Sequence, residues 1–169
     1  MNTIVVIHPY DPVWPERFSI ERDRIVGALG AGAISVEHTG STSVPGLAAK
    51  PVIDITLSVA DSSSEATFVP ALEGVGFTFR LREPDWFEHR VLVRDVPRVN
   101  LHVFSEGCSE IRQMTGFRDW LRTHVDDRDL YEATKLELAS RQWAVVQDYA
   151  DAKTDVVNDI KLRAGLLEG

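Results

Sequence analysis

The sequence is poor in the features that mark secreted and membrane-spanning proteins. Its 169 residues include one cysteine, Cys108, which can form no internal disulfide and is compatible with a reducing cytoplasm. The apolar run at residues 4–7 has no basic segment before it and is too short for a signal peptide or a membrane span. These absences predict a cytoplasmic protein that has no contact with membranes.

Positive charge is also scarce. The formal net charge is −8 at pH 7, from 18 lysines and arginines against 26 acidic residues. A protein that serves as a nucleic-acid scaffold normally carries a basic face, so this balance argues against a nucleic-acid partner. A local cluster of cations can still bind a small anion. A nucleotide or another small phosphorylated ligand therefore remains compatible with the composition.

Several familiar enzyme motifs are missing. The sequence contains no Walker-type glycine–lysine loop, no glycine-rich dinucleotide-binding motif, no zinc-type spacing of cysteine and histidine, and no Gly-x-Ser-x-Gly elbow. It therefore gives no support to a P-loop ATPase, a Rossmann-type oxidoreductase, a structural zinc site or a serine hydrolase.

Hydrophobic periodicity predicts an α+β fold in one domain, residues 1–169. Apolar runs of strand length lie at 4–7, 34–38, 51–59, 77–81, 89–93 and 99–104. A helix is predicted from Val13 to about Gly30. Residues 61–65 are predicted to form a turn that caps a second helix, which reaches about Val75. Three helical stripes then follow at 111–121, 136–146 and 149–164. These elements predict a mixed sheet of about five strands in residues 1–105 and a C-terminal helical layer in residues 106–169.

The most informative segment begins with the Gly40-Ser41 turn, which leads into a hydroxyl-rich loop and precedes Asp54 by about a dozen residues. Backbone N–H groups and hydroxyls can hold phosphate, while a carboxylate can hold a divalent metal against the phosphate oxygens. Asp54 lies in an apolar run, where a carboxylate is costly unless it is paired or metal-bound. The alternatives are a salt bridge from Asp54 to Lys50 or to an arginine, and a turn that only ends a strand.

Residues 38–55 resemble the sequence motif of the GrpB family of bacterial proteins. The resemblance continues through 10–18, 100–104, 117–124, 131–135 and 149–153, so it covers nearly the whole chain. Members of this family resemble nucleotidyltransferases of the polymerase-β-like fold, and some are fused to dephospho-CoA kinase. The resemblance implies a sheet of nucleotidyltransferase type and metal-assisted transfer of a nucleotidyl or phosphoryl group to a small acceptor.

In that fold, two acids placed two residues apart on a strand bind a pair of Mg²⁺ ions, because alternate strand residues share a face. Here the second position is Thr56, which carries no charge, and the strand that would supply a third acid offers Asn100 and His102. Imidazole and amide groups beside one aspartate move the preference from Mg²⁺ towards Mn²⁺, Zn²⁺ or no metal. The expected cofactor is therefore a divalent metal, Mg²⁺ or Mn²⁺, or none.

These considerations assign roles to a small set of residues. The predicted catalytic residues are Asp54, His102 and Lys50, and the predicted metal ligands are Asp54, His102 and His38. The predicted substrate-binding residues are Gly40, Ser41, Thr42, Ser43, Arg90, Arg118, Lys135 and Lys153. His102 as a neutral core histidine and His38 as a loop orienter are the alternatives. The functional alternatives are a non-catalytic module that binds a nucleotide or a phosphorylated metabolite, and a protein-interaction domain that presents its C-terminal helices.

Overall fold

The computed structural model describes residues 4–169. Its centre is a five-stranded mixed sheet in the order β1-β2-β5-β4-β3. β2 and β5 are parallel, and the other neighbouring pairs are antiparallel. The strands are β1 (Ser35–Thr39), β2 (Ile53–Val59), β3 (Thr78–Glu83), β4 (His89–Asp95) and β5 (Arg98–Ser105). The predicted mixed five-stranded sheet is confirmed.

Helices cover both faces of the sheet. α1 and α2 pack on one face and complete the main hydrophobic core, in which Trp14 and Ile25 contact the apolar residues of the strands. α3 to α6 form the predicted C-terminal layer over the other face. The helices are α1 (Val13–Leu29), α2 (Val69–Glu73), α3 (Ser109–Thr123), α4 (Val125–Ala139), α5 (Val146–Ala152) and α6 (Thr154–Arg163). In residues 4–169 no helix has the length and apolar character that a membrane crossing requires.

The alternation of side chains along the central strands decides which residues meet the C-terminal layer. On β2, Ile53, Ile55 and Leu57 enter the main core, so Asp54 and Thr56 face the opposite side. On β5, Val99 and Leu101 enter the same core, and His102 faces away from it. The register of the parallel pair places Thr56 beside His102. The polar residues of the two strands therefore share the face that α3 to α6 cover.

One predicted element near the N-terminus is wrong, and a second is shorter than predicted. Residues 4–7 form no strand; an isolated antiparallel bridge joins the next residue, His8, to Ala49, and Ile4 is largely exposed. The predicted turn at 61–65 is present, because Asp61 accepts hydrogen bonds from the backbone and hydroxyl of Ser63. The helix after it is short: a single 3₁₀ turn, Glu65–Thr67, precedes α2.

The second and third C-terminal stripes are also divided differently from the prediction. α4 ends at Ala139, so Trp143 lies outside it, and the indole N–H of Trp143 donates to the carbonyl of Leu138. The third stripe is split into α5 and α6 at Lys153. The spacing of apolar residues did not predict the helix ends at Ala139 and Ala152. It continues across both ends, because Trp143 and the residues after Lys153 still pack against the protein.

Candidate functional site

A cavity of about 410 Å³ lies between the polar face of the sheet and the C-terminal helices. Its walls come from the turn after β1, from β2 and β5, and from α3 to α6. The structure therefore gathers residues that are more than 100 positions apart in the sequence. The predicted site residues that line it are Gly40, Ser41, Thr42, Lys50, Asp54, His102, Arg118, Lys135 and Lys153.

The turn after β1 and the aspartate on β2 are direct neighbours. Thr39, the last residue of β1, pairs with Asp54 in the antiparallel register, so the chain turns beside the carboxylate. Gly40 has φ 69° and ψ −179°, a combination open almost only to glycine. A Cβ at this position would lie 2.8 Å from the Cβ of Asp54 and closer still to the carboxylate. The turn and the carboxylate therefore face the same cavity at close contact.

Lysines supply most of the positive charge of the cavity. The sequence contains four lysines, and all four line this cavity: Lys50, Lys135, Lys153 and Lys161. Within residues 4–169, no carboxylate forms an ion pair with the first three of them. Lys135 is almost fully buried, and its ammonium donates to the carbonyl of Ala48 at 2.5 Å. Three cations thus meet in a cavity without acidic partners at ion-pair distance, which favours an anionic ligand.

Burial lowers the pKa values of these lysines. It lowers the pKa of Lys135 from 10.5 to about 7, and the charges of Lys153 and Lys50 act in the same direction. Burial also lowers the pKa values of Lys50 and Lys153, whereas Asp54 raises them. The charged forms of these lysines are therefore destabilised in the empty cavity, and a bound anion would stabilise them.

We expect the free energy of unfolding to increase from pH 7 to pH 9. Because burial lowers the pKa of Lys135 to about 7, the folded protein loses this proton in that range while the unfolded chain keeps it up to about pH 10.5. Stability rises with pH wherever the unfolded state binds more protons. Urea unfolding at pH 7, 8 and 9 measures the slope, which should be smaller in Lys135→Met. Equal slopes in the two proteins would contradict the assignment.

Two tyrosines position the lysines. The ammonium of Lys135 lies 4.8 Å from the ring centroid of Tyr131, and that of Lys153 lies 4.7 Å from the ring of Tyr149. Lys50 approaches the ring of Tyr149 at 5.4 Å. In each of the first two pairs the lysine follows the tyrosine by four residues, the spacing that brings side chains together on a helix.

Two buried polar atoms at the cavity lack hydrogen-bond partners within the described residues. They are the hydroxyl of Tyr149, whose side chain is fully buried, and the amide oxygen of Gln113. Burial and the neighbouring Tyr131 raise the pKa of Tyr149 to about 12, so this hydroxyl remains a donor at neutral pH. A buried polar group without a partner is costly and rare. Both atoms are therefore suited to contact a ligand.

The single carboxylate of β2 contacts a histidine of β5. Asp54 Oδ1 lies 3.3 Å from His102 Nε2. His102 Nδ1 lies 3.1 Å from His89 Nε2, and His89 Nδ1 lies 2.8 Å from Glu83 Oε1. The two imidazole rings stack with their centroids 5.3 Å apart. Burial lowers the pKa of His89, which therefore remains neutral near pH 7.

Thr56 cannot replace the missing second acid. Its side chain is buried, and its hydroxyl lies 2.8 Å from the hydroxyl of Thr39 and 3.3 Å from the sulfur of Met114. In residues 4–169, no group of three or more histidine, cysteine, aspartate or glutamate residues is arranged to hold a metal ion. Mg²⁺-type sites often use one or two protein ligands together with substrate phosphate and water. The residues present therefore fit one divalent cation shared with a ligand, and they do not fit a pair.

Three predicted site residues do not line the cavity. His38 alternates to the core face of β1, where it stacks on Phe18 at 4.8 Å and contacts the hydroxyl of Thr42 at 2.9 Å. Burial lowers its pKa to about 4. The hydroxyl of Ser43 donates to the carbonyl of Gly40 inside the turn. Both residues therefore shape the turn, which corrects the prediction of His38 as a metal ligand.

Arg90 also lies away from the cavity. It lies on the core side of β4, and its guanidinium binds Glu65 at 2.7 Å and Glu88 at 3.1 Å. The alternation of β4 places it across the sheet from Asp54. The prediction that Arg90 contacts the substrate is therefore corrected.

Arginines of α3 and α4 hold the turn in place. Arg118 lines the cavity, but its guanidinium pairs with Glu37 at 2.6 Å and donates to the carbonyl of His38 at 3.0 Å. Arg122 donates twice to the carbonyl of Ser43, at 3.0 and 2.8 Å. Arg128 donates to the carbonyl of Pro45 at 3.3 Å. The helical layer therefore fixes the main chain of the turn.

Comparison with known proteins decides the family. The family model described as "GrpB protein" matches residues 4–163. The chain belongs to the GrpB family. Among curated relatives, UPF0157 protein BH1888 of Halalkalibacterium halodurans is 55% identical over 163 residues, which is 96% of this chain and 84% of that protein. UPF0157 protein SCO7215 of Streptomyces coelicolor is 46% identical, over 92% of this chain and 82% of that protein.

The fold is shared with a solved member of the GrpB family. The crystal structure of the conserved protein GrpB from Enterococcus faecalis matches with a TM-score of 0.82 and 28% identity, over 94% of this chain and 96% of that one. A dephospho-CoA kinase of Mycolicibacterium paratuberculosis is 28% identical over 182 aligned positions. That match covers 92% of this chain but only 45% of the kinase.

Several residues of this GrpB cavity were not assigned a role from the sequence. Tyr131, Tyr149, Gln113 and Lys161 line it, together with an apolar wall from α3 and α6. Two signals could have identified the tyrosines: the repeated Tyr-x-x-x-Lys spacing, and the position of three of the four lysines in segments that carry the family resemblance. Nothing in the sequence pointed to Gln113, because its position depends on how α3 packs.

Proposed function

We propose that this GrpB protein binds a nucleotide or a related phosphorylated small molecule in the cavity and transfers its nucleotidyl or phosphoryl group to a small acceptor. One observation carries the proposal: the Gly40-Ser41 turn, Asp54 and three unpaired lysines converge on the same cavity. Anionic ligands neutralise such cations, and a neighbouring carboxylate allows a divalent metal to bind the same anion.

The cavity lining suits both the phosphate and the organic part of such a ligand. Lys50, Lys135 and Lys153 supply positive charge for phosphate oxygens, and the hydroxyl of Tyr149 supplies a donor that has no other partner within the described residues. The lining also includes Met114, Phe117, Leu121 and Val157, which offer apolar surface to an organic group. The combination of a few polar groups with an apolar wall is typical of small-molecule sites.

The residues around Asp54 have the chemistry for transfer. Asp54 and His102 would hold a divalent cation, which neutralises phosphate charge and polarises the phosphoryl group when bound. Lys50 would stabilise the negative charge that develops on the phosphate oxygens. The Gly40-Ser41 turn would orient the phosphate by its backbone N–H groups and hydroxyls. The nucleotidyltransferase relationship implied by the sequence agrees with these roles.

The second candidate function is binding without turnover. It is favoured by Thr56, which takes the position of the second acid and is hydrogen-bonded inside the protein. A site that has lost one of two metal-binding acids can retain its phosphate contacts and lose catalysis. The two candidates differ in what Asp54 contributes, because only transfer needs its carboxylate.

A ligand screen tests the shared premise. Thermal shift is measured with nucleoside mono-, di- and triphosphates, with sugar phosphates and with inorganic pyrophosphate, each with and without Mg²⁺ or Mn²⁺. A ligand at 100 times its Kd stabilises the folded state by about 2.7 kcal/mol. Absence of a shift with every phosphorylated compound would leave both candidates without support and favour the protein-interaction alternative.

Asp54→Asn separates the two candidates. For transfer, we expect metal-dependent turnover to fall by at least about 100-fold, since one removed electrostatic contact at a reacting phosphate costs roughly that much. Binding measured without metal should be unchanged or tighter, because the variant loses the carboxylate that repels the phosphate. Asp95→Asn is the control, since Asp95 lies at the surface and its carboxylate forms an ion pair with Arg98. Unchanged turnover in Asp54→Asn would exclude its assigned role.

A further inference from the structure

The contacts of Glu83, His89, His102 and Asp54 form one continuous series across the sheet. The four residues lie on β3, β4, β5 and β2, and consecutive members are 2.8, 3.1 and 3.3 Å apart. Glu83 is at the partly exposed end, and Asp54 is at the cavity. His89 is buried between neighbouring rings: it stacks on Phe104 at 4.7 Å and meets the edge of Trp86 at 4.9 Å. Its ring therefore has little freedom to turn.

Hydrogen-bond direction along this series follows from the carboxylate at its outer end. The Glu83 carboxylate only accepts, so His89 donates from Nδ1. A neutral imidazole has one donor and one acceptor nitrogen, so His89 Nε2 accepts and His102 donates to it from Nδ1. In the neutral form of His102, Nε2 then carries a lone pair that faces Asp54 Oδ1 at 3.3 Å. In this form two acceptors face each other at the cavity, and a cation, either a proton or a metal ion, is required between them.

A cation resolves this unfavourable contact. Two ligands of one cation, each bound at about 2.1 Å, lie roughly 3.0 to 3.4 Å apart in octahedral or tetrahedral geometry. The observed separation of 3.3 Å between the oxygen and the nitrogen falls in this range. An imidazole beside a carboxylate also favours Mn²⁺ or a similar transition-metal ion relative to Mg²⁺.

We propose that His89 and Glu83 are positioning residues that fix the tautomer of His102, so that His102 Nε2 and Asp54 together select a nitrogen-accepting divalent cation such as Mn²⁺. The proposal deepens the proposed function, because it rests on a metal at Asp54 and specifies how the chain prepares its second ligand. Residues that orient metal-bound histidines commonly change metal affinity by about 10- to 100-fold when they are replaced.

The test is a Mn²⁺ titration of the full chain, followed by the electron paramagnetic resonance signal of free Mn²⁺, with a parallel Mg²⁺ titration by competition. In His89→Phe the ring stacking is kept but the acceptor for His102 is lost, so Mn²⁺ affinity should fall about 10- to 100-fold. Mg²⁺ affinity, which depends on the carboxylate, should change less. His89→Gln restores an acceptor oxygen and should recover most of the Mn²⁺ affinity.

Glu83→Gln is a second variant, at a partly exposed position. The glutamine amide can donate to His89, which permits the reversed tautomers and lets His102 Nε2 donate to Asp54 without a cation. Mn²⁺ affinity should therefore fall here as well. His124→Phe, which replaces a histidine outside the cavity that stacks on Trp120, is the control and should bind Mn²⁺ like the wild type.

Unchanged Mn²⁺ affinity in His89→Phe and Glu83→Gln would overturn the proposal. So would a wild-type protein that binds no Mn²⁺, in which case a proton between Asp54 and His102 is the cation. Thermal shift with inorganic pyrophosphate in the presence of a chelator is measured on the same samples. A pyrophosphate shift without a Mn²⁺ effect removes this inference alone, whereas no shift with any phosphorylated compound removes the proposed function.

Discussion

Gly40→Ala is expected to destabilise the protein and to abolish any function that requires Asp54. Its Cβ would lie 2.8 Å from the Cβ of Asp54, which is anchored in a central strand and cannot move aside. The backbone at Gly40 also has a conformation that alanine avoids. Together, strain and overpacking should cost about 2 to 5 kcal/mol of unfolding free energy. The melting temperature should then fall by roughly 2 to 4 °C for each kcal/mol.

Gly107→Ala is the matched control for this substitution. Gly107 also has a positive φ, 80°, but a Cβ there would meet nothing within 4 Å. The control therefore carries backbone strain without a clash. Thermal unfolding of both variants, together with ligand binding, separates the two effects. Equal melting temperatures and intact binding in Gly40→Ala would show that the turn can move away from Asp54.

Lys153→Met is expected to weaken the binding of phosphorylated ligands while leaving the free protein equally stable or more stable. A hydrogen bond to a charged group contributes about 1.5 to 3 kcal/mol, so affinity should fall roughly 10- to 100-fold. In the absence of ligand, however, the cation is partly buried near two other lysines, and desolvation lowers its pKa. Removing a desolvated charge that has no partner is often stabilising.

Calorimetric titration with the best nucleotide of the screen, together with thermal unfolding, measures both quantities. Arg141→Met is the control, because it removes one positive charge from an exposed ion pair with Glu137 outside the cavity. It should change neither affinity nor stability by more than a small amount. A Lys153→Met protein that is less stable but binds normally would reverse the interpretation and make Lys153 a structural residue.

The sheet was predictable because its strands are strongly patterned. Residues 51–59 alternate apolar and polar side chains, and the structure places Ile55 in the core and Asp54 on the opposite face. The N-terminal run at 4–7 is likewise rich in β-branched residues, but no neighbouring strand pairs with it, and the only nearby pairing among the described residues is the bridge at His8. Strand composition was therefore sufficient only where a partner strand was present. The breaks at Ala139 and Lys153 depend on tertiary packing, which periodicity does not report.

The site was predictable in part. Local spacing placed Gly40 and Asp54 together, and the family motif pointed to Lys135 and Lys153. The prediction placed His38 and Arg90 on the wrong face of the sheet. Side chains alternate between the two faces along a strand, so a difference of one residue decides which face a side chain reaches. The cavity wall formed by Tyr149 and Gln113 could not be read from local sequence, because it exists only when α3, α5 and α6 assemble over the sheet.

The segment from His38 to Ala48 is fastened to the helical layer by its own main chain. Arg118, Arg122, Arg128 and Lys135 each donate to one of its carbonyl oxygens. These anchors bind peptide groups, so they hold the segment without using the side chain of Ser41, which lines the cavity. Residue 41 can therefore be exchanged for other polar groups during evolution, and new ligand preferences can arise on the same main chain.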